Sequence, residues 1–181
     1  MIEVIDSYNN RVAIEKVSFV QFKKDWEETF DGTDKALSDE EIEKVYDALK
    51  VPRRATKGSA GYDFFSPLEF TLAPGQSIKF PTGMRAVMCN FMVLLIVPRS
   101  GQGFKYRLQL DNTIGVIDSD YAHSDNEGHI FMKLTNDSRS GKTIKVNFND
   151  AVAQGIFTDF YVTNDDMVSD VRNGGFGSTG A

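Results

Sequence analysis

The chain has 181 residues, of which 41% are hydrophobic and 25% are charged, and its net charge is −6. This composition is typical of a globular protein, and the length predicts a single domain over residues 1–181. One cysteine and two histidines exclude a disulfide framework and argue against a Cys/His metal cage. No apolar run is long enough for a membrane helix, and the first residues lack the features of a signal peptide. We therefore expect a cytoplasmic protein that does not enter membranes.

The negative charge is concentrated near the N-terminus. Residues 1–50 contain 13 acidic and 7 basic residues, whereas residues 51–181 contain 13 of each. The chain therefore has no basic stripe of the kind that binds a nucleic-acid backbone. Any anionic ligand must be held by a few local cations and backbone amides.

The first fifty residues predict one strand followed by two helices. Residues 11–19 alternate between apolar and polar side chains, as a half-buried strand does. Apolar residues at helical spacing then predict an amphipathic helix, namely Phe19, Phe22, Trp26 and Phe30. Ser38 and Glu41 form a capping-box sequence that begins a second helix, and Pro52 is expected to end it.

From Val51 onward the pattern changes to short apolar runs separated by turn residues. Strands are predicted at 68–72, 77–80, 84–89, 91–97, 106–110, 114–117, 129–134, 143–146 and 152–161. Short strands at this spacing, without intervening helices, favour a β-sandwich, jelly roll or barrel. The C-terminal sequence RNGGFGSTG contains four glycines and is expected to form neither a core strand nor a helix.

Nucleophilic catalysis finds little support in this sequence. The Gly-x-Ser-x-Gly elbow and the Walker A motif are absent, and no Gly-x-Gly-x-x-Gly sequence directly follows a predicted strand. Cys89 is predicted to lie in an apolar strand, and His123 and His129 in one polar loop. The chemistry must therefore rest on carboxylates, cations and backbone amides.

Two short segments could supply such groups. The Arg-Ser-Gly sequence at residues 99–101 ends an apolar run, and it suits either a small anion site or a plain surface turn. Asp118 follows another apolar strand and is a candidate general base, or the start of an Asx turn. Because side chains alternate along a strand, Asp118 and Asp120 are predicted to share a face.

Taken in chain order, five segments resemble the motifs of the homotrimeric all-β dUTP pyrophosphatase (dUTPase) family. They read PRRATKGSAGYD, PRSG, NxxGVIDSDY, AQ and RxGGFGSTG, and the resemblance covers residues 51–181. It implies an all-β, jelly-roll-like dUTPase barrel or sandwich, to which a helical insert over residues 19–50 has been added. It also implies a homotrimer with shared active sites that hydrolyses dUTP to dUMP and pyrophosphate with Mg²⁺.

The resemblance also implies roles for individual residues. Asp118 matches the catalytic carboxylate, which activates a water for attack on the α-phosphorus. Mg²⁺ would be held mainly by phosphates and water, with Asp63 touching its hydration shell. The implied phosphate contacts are Arg99, Ser100, Gly101, Gln154, Arg172, Ser178 and Thr179. The implied contacts to uracil and deoxyribose are Asn112, Gly115, Ile117, Tyr121 and Phe176.

Two of the implied contacts carry specific functions. Tyr121 would lie beneath the deoxyribose and leave no room for a 2′-hydroxyl group, so that UTP is rejected. Phe176 would stack over the uracil ring. It belongs to a C-terminal arm, residues 172–181, that the resemblance implies is mobile when empty and ordered over substrate.

Several features depart from the family pattern. The loop after Tyr121 reads AHSDNEGHI, which is several residues longer than usual and lacks an Arg-Gly pair. The fourth motif has Asn-Asp-Ala at 149–151 in place of Gly-Asp-Arg, and the fifth is slightly shorter between Arg172 and Phe176. The helical segment 19–50 is additional, and we expect it on the outside of the trimer or over an interface edge.

Two other functions stay open at this point. A dCTP deaminase, or a bifunctional deaminase and dUTPase, would need a glutamate that acts on a water at the pyrimidine ring, and Glu127 is the nearest such acid. The spacing from Asp118 to Tyr121 and the GGFGSTG tail favour the hydrolase instead. Alternatively, the acidic helices bind a regulatory protein, with nucleotide as the switch.

Overall fold

The structure is a computed structural model that describes residues 12–170. Its helices are α1 (Phe19–Phe30), α2 (Asp39–Ala48), α3 (Ser100–Tyr106) and a 3-10 helix (Ser119–His123). Its strands are β1 (Val12–Lys16), β2 (Arg53–Arg54), β3 (Tyr62–Phe65), β4 (Phe70–Leu72), β5 (Ser77–Pro81), β6 (Met84–Met88), β7 (Met92–Pro98), β8 (Leu108–Leu110), β9 (Gly115–Asp118), β10 (Phe131–Asn136), β11 (Ile144–Val146) and β12 (Ala151–Asp159). Within this range no helix is both long and apolar enough to cross a bilayer. The cytoplasmic location stays a prediction.

Antiparallel pairing joins these strands into four sheets. The largest has the order β2-β3-β12-β7-β9, and its long central strands β12 and β7 pair from Ala153 with Pro98 to Asp159 with Met92. A second sheet has the order β5-β10-β8, and β1 with β6 and β4 with β11 form two-stranded ribbons. Strands that are distant in sequence are thus neighbours in space. The predicted all-β architecture is confirmed.

Alternating side chains of the two larger sheets form a common hydrophobic core. On β10, Met132 and Leu134 are buried, whereas Lys133 between them is exposed. On β7, Leu94 and Ile96 are almost completely buried in the same core cluster. Because side chains alternate along a strand, Met132 and Leu134 face the core while Lys133 points away from it.

The predicted helical insert is confirmed by α1 and α2. Of the predicted aromatic stripe of α1, Phe22, Trp26 and Phe30 are buried in the core cluster that the strands share. Phe19, its first member, is partly buried and packs against that cluster. Ser38 and Glu41 make both reciprocal hydrogen bonds of a capping box at the start of α2. α2 then ends at Ala48, ahead of Pro52. The helices therefore extend the core of the β-structure rather than standing apart from it.

The structure corrects the sequence analysis at several points. A strand was expected over 106–110, but Tyr106 ends α3 and Arg107 has a left-handed backbone (φ 50°), so β8 begins only at Leu108. The short strands β2 and β3 were missed, because Gly, Ser and charged residues surround them. The prediction that Asp118 and Asp120 share a strand face is wrong, because β9 ends at Asp118 and a 3-10 helix follows.

Two residues lie in surroundings different from those predicted. Cys89 is exposed just after the end of β6 and is not part of an apolar strand. His129, expected with His123 in one polar loop, is completely buried and pairs with Asp25 of α1. The cause is the packing of α1 over this loop, which no local sequence pattern encodes.

Candidate active site

A cavity of about 470 Å³, which we call the β9 cavity, lies between β9, β10 and the turn before β9. It is lined by Asp118 and by the predicted uracil and deoxyribose contacts within the described residues, namely Asn112, Gly115, Ile117 and Tyr121. The rest of its lining is Lys79, Ile96, Leu110, Asp111, Val116, Ile130, Phe131, Met132 and Lys133. The tertiary structure thus brings the predicted base together with the predicted nucleoside contacts.

Asp118 is the last residue of β9 and is partly buried. Antiparallel pairing with β7 places it opposite Val93 and places Gly115 opposite Ile96. A Cβ atom on Gly115 would lie 3.2 Å from the Cβ of Ile96, so glycine allows the Ile96 side chain to pack closely against β9. The strand therefore ends with a carboxylate beside a largely apolar wall.

Asn112 lies in the turn between β8 and β9, and an ion pair holds this turn. Asp111 Oδ2 lies 2.6 Å from Lys133 Nζ, and Thr135 Oγ1 donates a hydrogen bond to Asp111 Oδ1. The backbone N–H of Asp111 also donates to the carbonyl of Lys133 at 3.0 Å. Partial burial raises the pKa of Asp111, but the hydrogen bonds from Lys133 and Thr135 outweigh it and leave the pKa below its ordinary value.

The sequence analysis missed this pair. The one sequence feature that could have pointed to Asp111 is its position directly before Asn112. Its partners Lys133 and Thr135 lie on β10, more than twenty residues away. Their contact follows from the pairing of β10 with β8. Charged residues with distant partners look like ordinary surface residues in a sequence.

Tyr121 lies on the 3-10 helix, and its side chain is buried. Its hydroxyl donates to the backbone carbonyl of His129 at 2.8 Å and accepts a hydrogen bond from Asn126 Nδ2 at 2.9 Å. Asn126 Oδ1 in turn accepts from the backbone N–H of Gly128 at 3.1 Å. The long loop after Tyr121 therefore folds back and fixes the phenol that lines the β9 cavity.

A second cavity, of about 660 Å³, collects the other predicted contacts, and we call it the Arg99 cavity. Its lining includes Asp63, Arg99, Ser100, Gly101 and Gln154. Ser100 and Gly101 begin α3, where the first backbone N–H groups of a helix have no acceptor within the helix. A guanidinium, a hydroxyl, a side-chain amide and backbone N–H groups thus meet in one place, which suits a phosphate chain.

Arg99 is oriented by Asp63 of β3. Its Nε lies 3.0 Å from Asp63 Oδ1, its NH2 donates to Asp63 Oδ2 at 3.4 Å, and its NH1 donates to the carbonyl of Ala151 at 3.2 Å. Such two-point contact fixes the plane of the guanidinium. The family resemblance implied that Asp63 touches a metal hydration shell. The sequence did not predict this ion pair, because only the pairing with β12 brings β3 beside the end of β7.

Gln154 on β12 packs against Gly61. A Cβ atom at Gly61 would lie 2.6 Å from Gln154 Oε1, so only glycine leaves room for the amide in its present position. The amide Nε2 donates to the carbonyl of Pro98 at 3.4 Å. Gly61 of the first motif therefore leaves room for Gln154, the predicted phosphate contact of the fourth motif.

Asp118 and Arg99 lie beside opposite ends of β7. Asp118 pairs with Val93 near the start of this strand, and Arg99 follows its end at Pro98. The stretch of β7 from Val93 to Arg99 covers roughly 20 Å of extended chain. That separation exceeds the combined reach of the two side chains. One chain therefore does not bring Asp118 together with Arg99.

The remaining predicted site residues belong to the C-terminal arm. They lie outside the described residues 12–170, and they are Arg172, Phe176, Ser178 and Thr179. Their roles stay predictions.

Comparison with known proteins tests the family assignment. A family model described as dUTPase matches residues 47–180, a range that includes all five motifs. The deoxyuridine 5′-triphosphate nucleotidohydrolase of Lactococcus lactis subsp. lactis (strain IL1403) is 40% identical over 136 residues. That match covers 74% of this chain and 89% of the Lactococcus protein.

Solved structures agree with this result. The dUTPase of Streptococcus mutans is 35% identical with a TM-score of 0.55, and the match covers 63% of this chain and 88% of that one. A mutant dUTPase from phage phi11 of S. aureus, described for its coordination of a structural Mg(II) ion, is 18% identical with a TM-score of 0.57. That match covers 89% of this chain and 98% of the phage protein, and at this identity it supports the fold alone. From the motifs, the fold and the similarity over residues 47–180, we conclude that the chain belongs to the dUTPase family.

Proposed function

We propose that this chain, a dUTP-hydrolysing member of the dUTPase family, uses Asp118 as the general base of the reaction. The carboxylate takes a proton from a water, and this water attacks the α-phosphorus while pyrophosphate leaves on the opposite side. The products are dUMP and pyrophosphate. The observation that carries the assignment is that Asp118 lines the same cavity as Asn112, Ile117 and Tyr121.

The β9 cavity would hold the nucleoside. Asn112 and the backbone of β9 from Gly115 to Ile117 present hydrogen-bonding groups to the edge of uracil. Tyr121, held by its hydroxyl, presents its ring to the deoxyribose and excludes a 2′-hydroxyl by contact. The largely apolar lining removes water around these polar contacts and so strengthens them.

The Arg99 cavity would hold the phosphates. Arg99, with its plane fixed by Asp63, makes charge-assisted hydrogen bonds to phosphate oxygens, and Ser100, Gly101 and Gln154 add neutral donors. These groups stabilise the charge that develops as the bond to the leaving pyrophosphate breaks. The arm residues Arg172, Ser178 and Thr179 would close over the γ-phosphate, with Phe176 over the uracil.

The residues of the Arg99 cavity fit a magnesium ion that is bound mainly through the substrate. Asp63 places a single carboxylate beside the phosphate contacts, and Mg²⁺ prefers one or two carboxylates together with phosphate oxygens and water. When bound, Mg²⁺ would neutralise charge on the phosphate oxygens. Asp63 would contribute to holding it through water while keeping Arg99 in place.

The separation of Asp118 from Arg99 supports an oligomer with shared active sites. The β9 cavity of one subunit, which contains Asp118, would lie next to the Arg99 cavity of a neighbouring subunit. The nucleoside and the phosphates would then be bound by different chains. A closed ring of three such contacts is the homotrimer that the family resemblance implies. This arrangement would explain why each chain carries both halves of the site at opposite ends of one strand.

The position of Glu127, the candidate residue for a deaminase, argues against that alternative function. Glu127 does not line the β9 cavity, and its carboxylate instead accepts hydrogen bonds from the backbone N–H and the hydroxyl of Ser18 at 2.7 and 2.6 Å. A carboxylate engaged in this way is poorly placed to activate a water at a pyrimidine ring. We therefore favour hydrolysis alone.

A pyrophosphate-release assay with dUTP, dCTP, dTTP and UTP in the presence of Mg²⁺ tests the proposal. We expect rapid release from dUTP, little from the other three nucleotides and no ammonia from dCTP. Ammonia release from dCTP, or equal rates for dUTP and dTTP, would show that the β9 cavity does not act as proposed.

A further inference from the structure

Two features that depart from the family pattern contact one another. The helix α1 lies outside residues 47–180, which the family model matches, and the loop 122–130 is the segment that is longer than usual. α1 packs on this loop through its N-terminus and through its middle turn. The extra helix and the extra loop therefore form one unit.

The first contact completes the N-terminal cap of α1. In α2, Glu41 of the same helix accepts a hydrogen bond from the backbone N–H of its N-cap Ser38. In α1, the corresponding carboxylate comes from the loop, because Glu127 accepts from both the N–H and the hydroxyl of the N-cap Ser18. A negative charge at a helix N-terminus is stabilising, so the loop and the helix hold each other in place.

The second contact is a buried hydrogen-bond network. His129 Nε2 accepts from the backbone N–H of Gly83 at 2.8 Å, so the proton of the neutral ring lies on Nδ1. Nδ1 then donates to Asp25 Oδ2 at 2.5 Å, and Gln21 Nε2 donates to the same oxygen at 2.8 Å. His129 is completely buried, and Asp25 and Gln21 are nearly so. Removing one member would leave buried polar groups unsatisfied.

The network reaches the β9 cavity by two short routes. The backbone carbonyl of His129 accepts the hydroxyl hydrogen bond of Tyr121 at 2.8 Å. The imidazole of His129 also lies 5.0 Å, between ring centroids, from Phe131. Both Tyr121 and Phe131 line the β9 cavity. The position of the cavity wall thus depends on the position of His129, and His129 is held by α1.

We infer that α1 is a positioning element for substrate selection: through its contacts with His129 and Glu127 it holds the loop that fixes Tyr121, and so it sets discrimination against the 2′-hydroxyl group. This inference rests on the proposed role of Tyr121 in excluding a ribose. Neither Asp25 nor Glu127 lines the β9 cavity, and they act through His129 and the loop. The added helix is therefore part of the selectivity machinery rather than a surface appendage.

The test is the ratio of kcat/KM for dUTP to kcat/KM for UTP, which does not depend on the fraction of protein that is folded. We expect the ratio to fall roughly tenfold in Asp25→Ala and in Glu127→Ala, which is the low end of what a steric contact contributes to selectivity. Asp25→Asn should restore most of the ratio, because its amide oxygen can accept both hydrogen bonds. Ile42→Ala, which truncates a buried residue of α2, should lower the melting temperature without changing the ratio.

Tyr121→Leu separates failure of this inference from failure of the proposed function. If Tyr121→Leu lowers the ratio but Asp25→Ala and Glu127→Ala do not, the positioning role of α1 is wrong and the role of Tyr121 stands. If Tyr121→Leu leaves the ratio unchanged, the proposed role of Tyr121 fails and the inference fails with it. If Asp25→Ala does not fold, the ratio measured for Glu127→Ala is the test by itself, because Glu127 is partly exposed and its replacement should leave the protein folded.

Discussion

The proposed chemistry depends on Asp118. Replacement by Asn keeps the shape of the side chain but removes the proton acceptor, so kcat should fall by about 10²- to 10⁴-fold. The affinity for a non-hydrolysable dUTP analogue should stay close to that of the wild type, because the rest of the β9 cavity is unchanged. Steady-state kinetics and calorimetric titration measure the two quantities. Near-wild-type turnover in Asp118→Asn would exclude this residue as the base.

Gly61 should matter for phosphate binding although it carries no side chain. In Gly61→Ala, the new Cβ atom would overlap Gln154 Oε1, and the flexible amide would move away from its present position. We expect KM for dUTP to rise several-fold with a smaller change in kcat, because a binding contact is displaced. Gly58→Ala is the matched control, since a Cβ atom on Gly58 would meet nothing within 4 Å. Equal KM values for the two variants would contradict the argument.

Asp111 should make the stability of the protein depend on pH in acid. Its pKa is lowered in the folded state, so its stabilising effect is complete above the ordinary aspartate pKa and is lost as the pH falls through the lowered value. The ion pair with Lys133 is partly exposed and is worth about 0.2–1 kcal/mol. Urea unfolding at pH 6 and pH 3 should therefore show a smaller pH dependence in Asp111→Asn than in the wild type. An unchanged pH dependence would show that the pair is not formed in solution.

At the level of whole elements, the C-terminal arm offers the clearest test. A chain truncated before Arg172 lacks the predicted γ-phosphate clamp and the uracil lid, so kcat/KM for dUTP should drop by at least about tenfold. Its melting temperature should change little, because a complete hydrophobic core cluster is already formed among residues 12–170, the part that the structure describes. If the truncated protein is as active as the full chain, the arm does not close over the substrate.

The strands and helices were predictable to different degrees. β10 and the aromatic stripe of α1 show clear periodicity, because each has one buried face. α3 was missed because its sequence, SGQGFKY, has two glycines and buries no residue.

A regulatory protein partner for the helical insert stays a prediction.

At the scale of the whole molecule, the roughly 20 Å between Asp118 and Arg99 predicts complementation between inactive variants. Asp118→Asn and Arg99→Ala should each be inactive alone. When the two variants are unfolded and refolded together in equal amounts, mixed trimers form. Each site takes its Asp118 and its Arg99 from different chains, and each residue is intact in about half of the chains. About one quarter of wild-type activity should therefore return. A mixture as inactive as its components would show that each active site belongs to a single chain. Sedimentation of the wild type measures the assembly directly.

The sequence alone determined what depends on neighbours along the chain. Short apolar runs between turn residues located most strands, Ser38 and Glu41 marked the start of α2, and the five motifs assigned the family and nominated Asp118. These signals are local, because hydrogen bonding and one-sided burial impose a short period on the residues of each element.

Only the tertiary structure decided which distant residues meet. It pairs Asp63 with Arg99, buries His129 against Asp25 of a helix more than a hundred residues away, and sets Asp118 apart from the predicted phosphate contacts. A charged or polar side chain looks alike in a sequence whether it faces water or a buried partner. The two cases become different only in the folded protein, because strand pairing and helix packing remove water from the buried side chain and leave the exposed one hydrated.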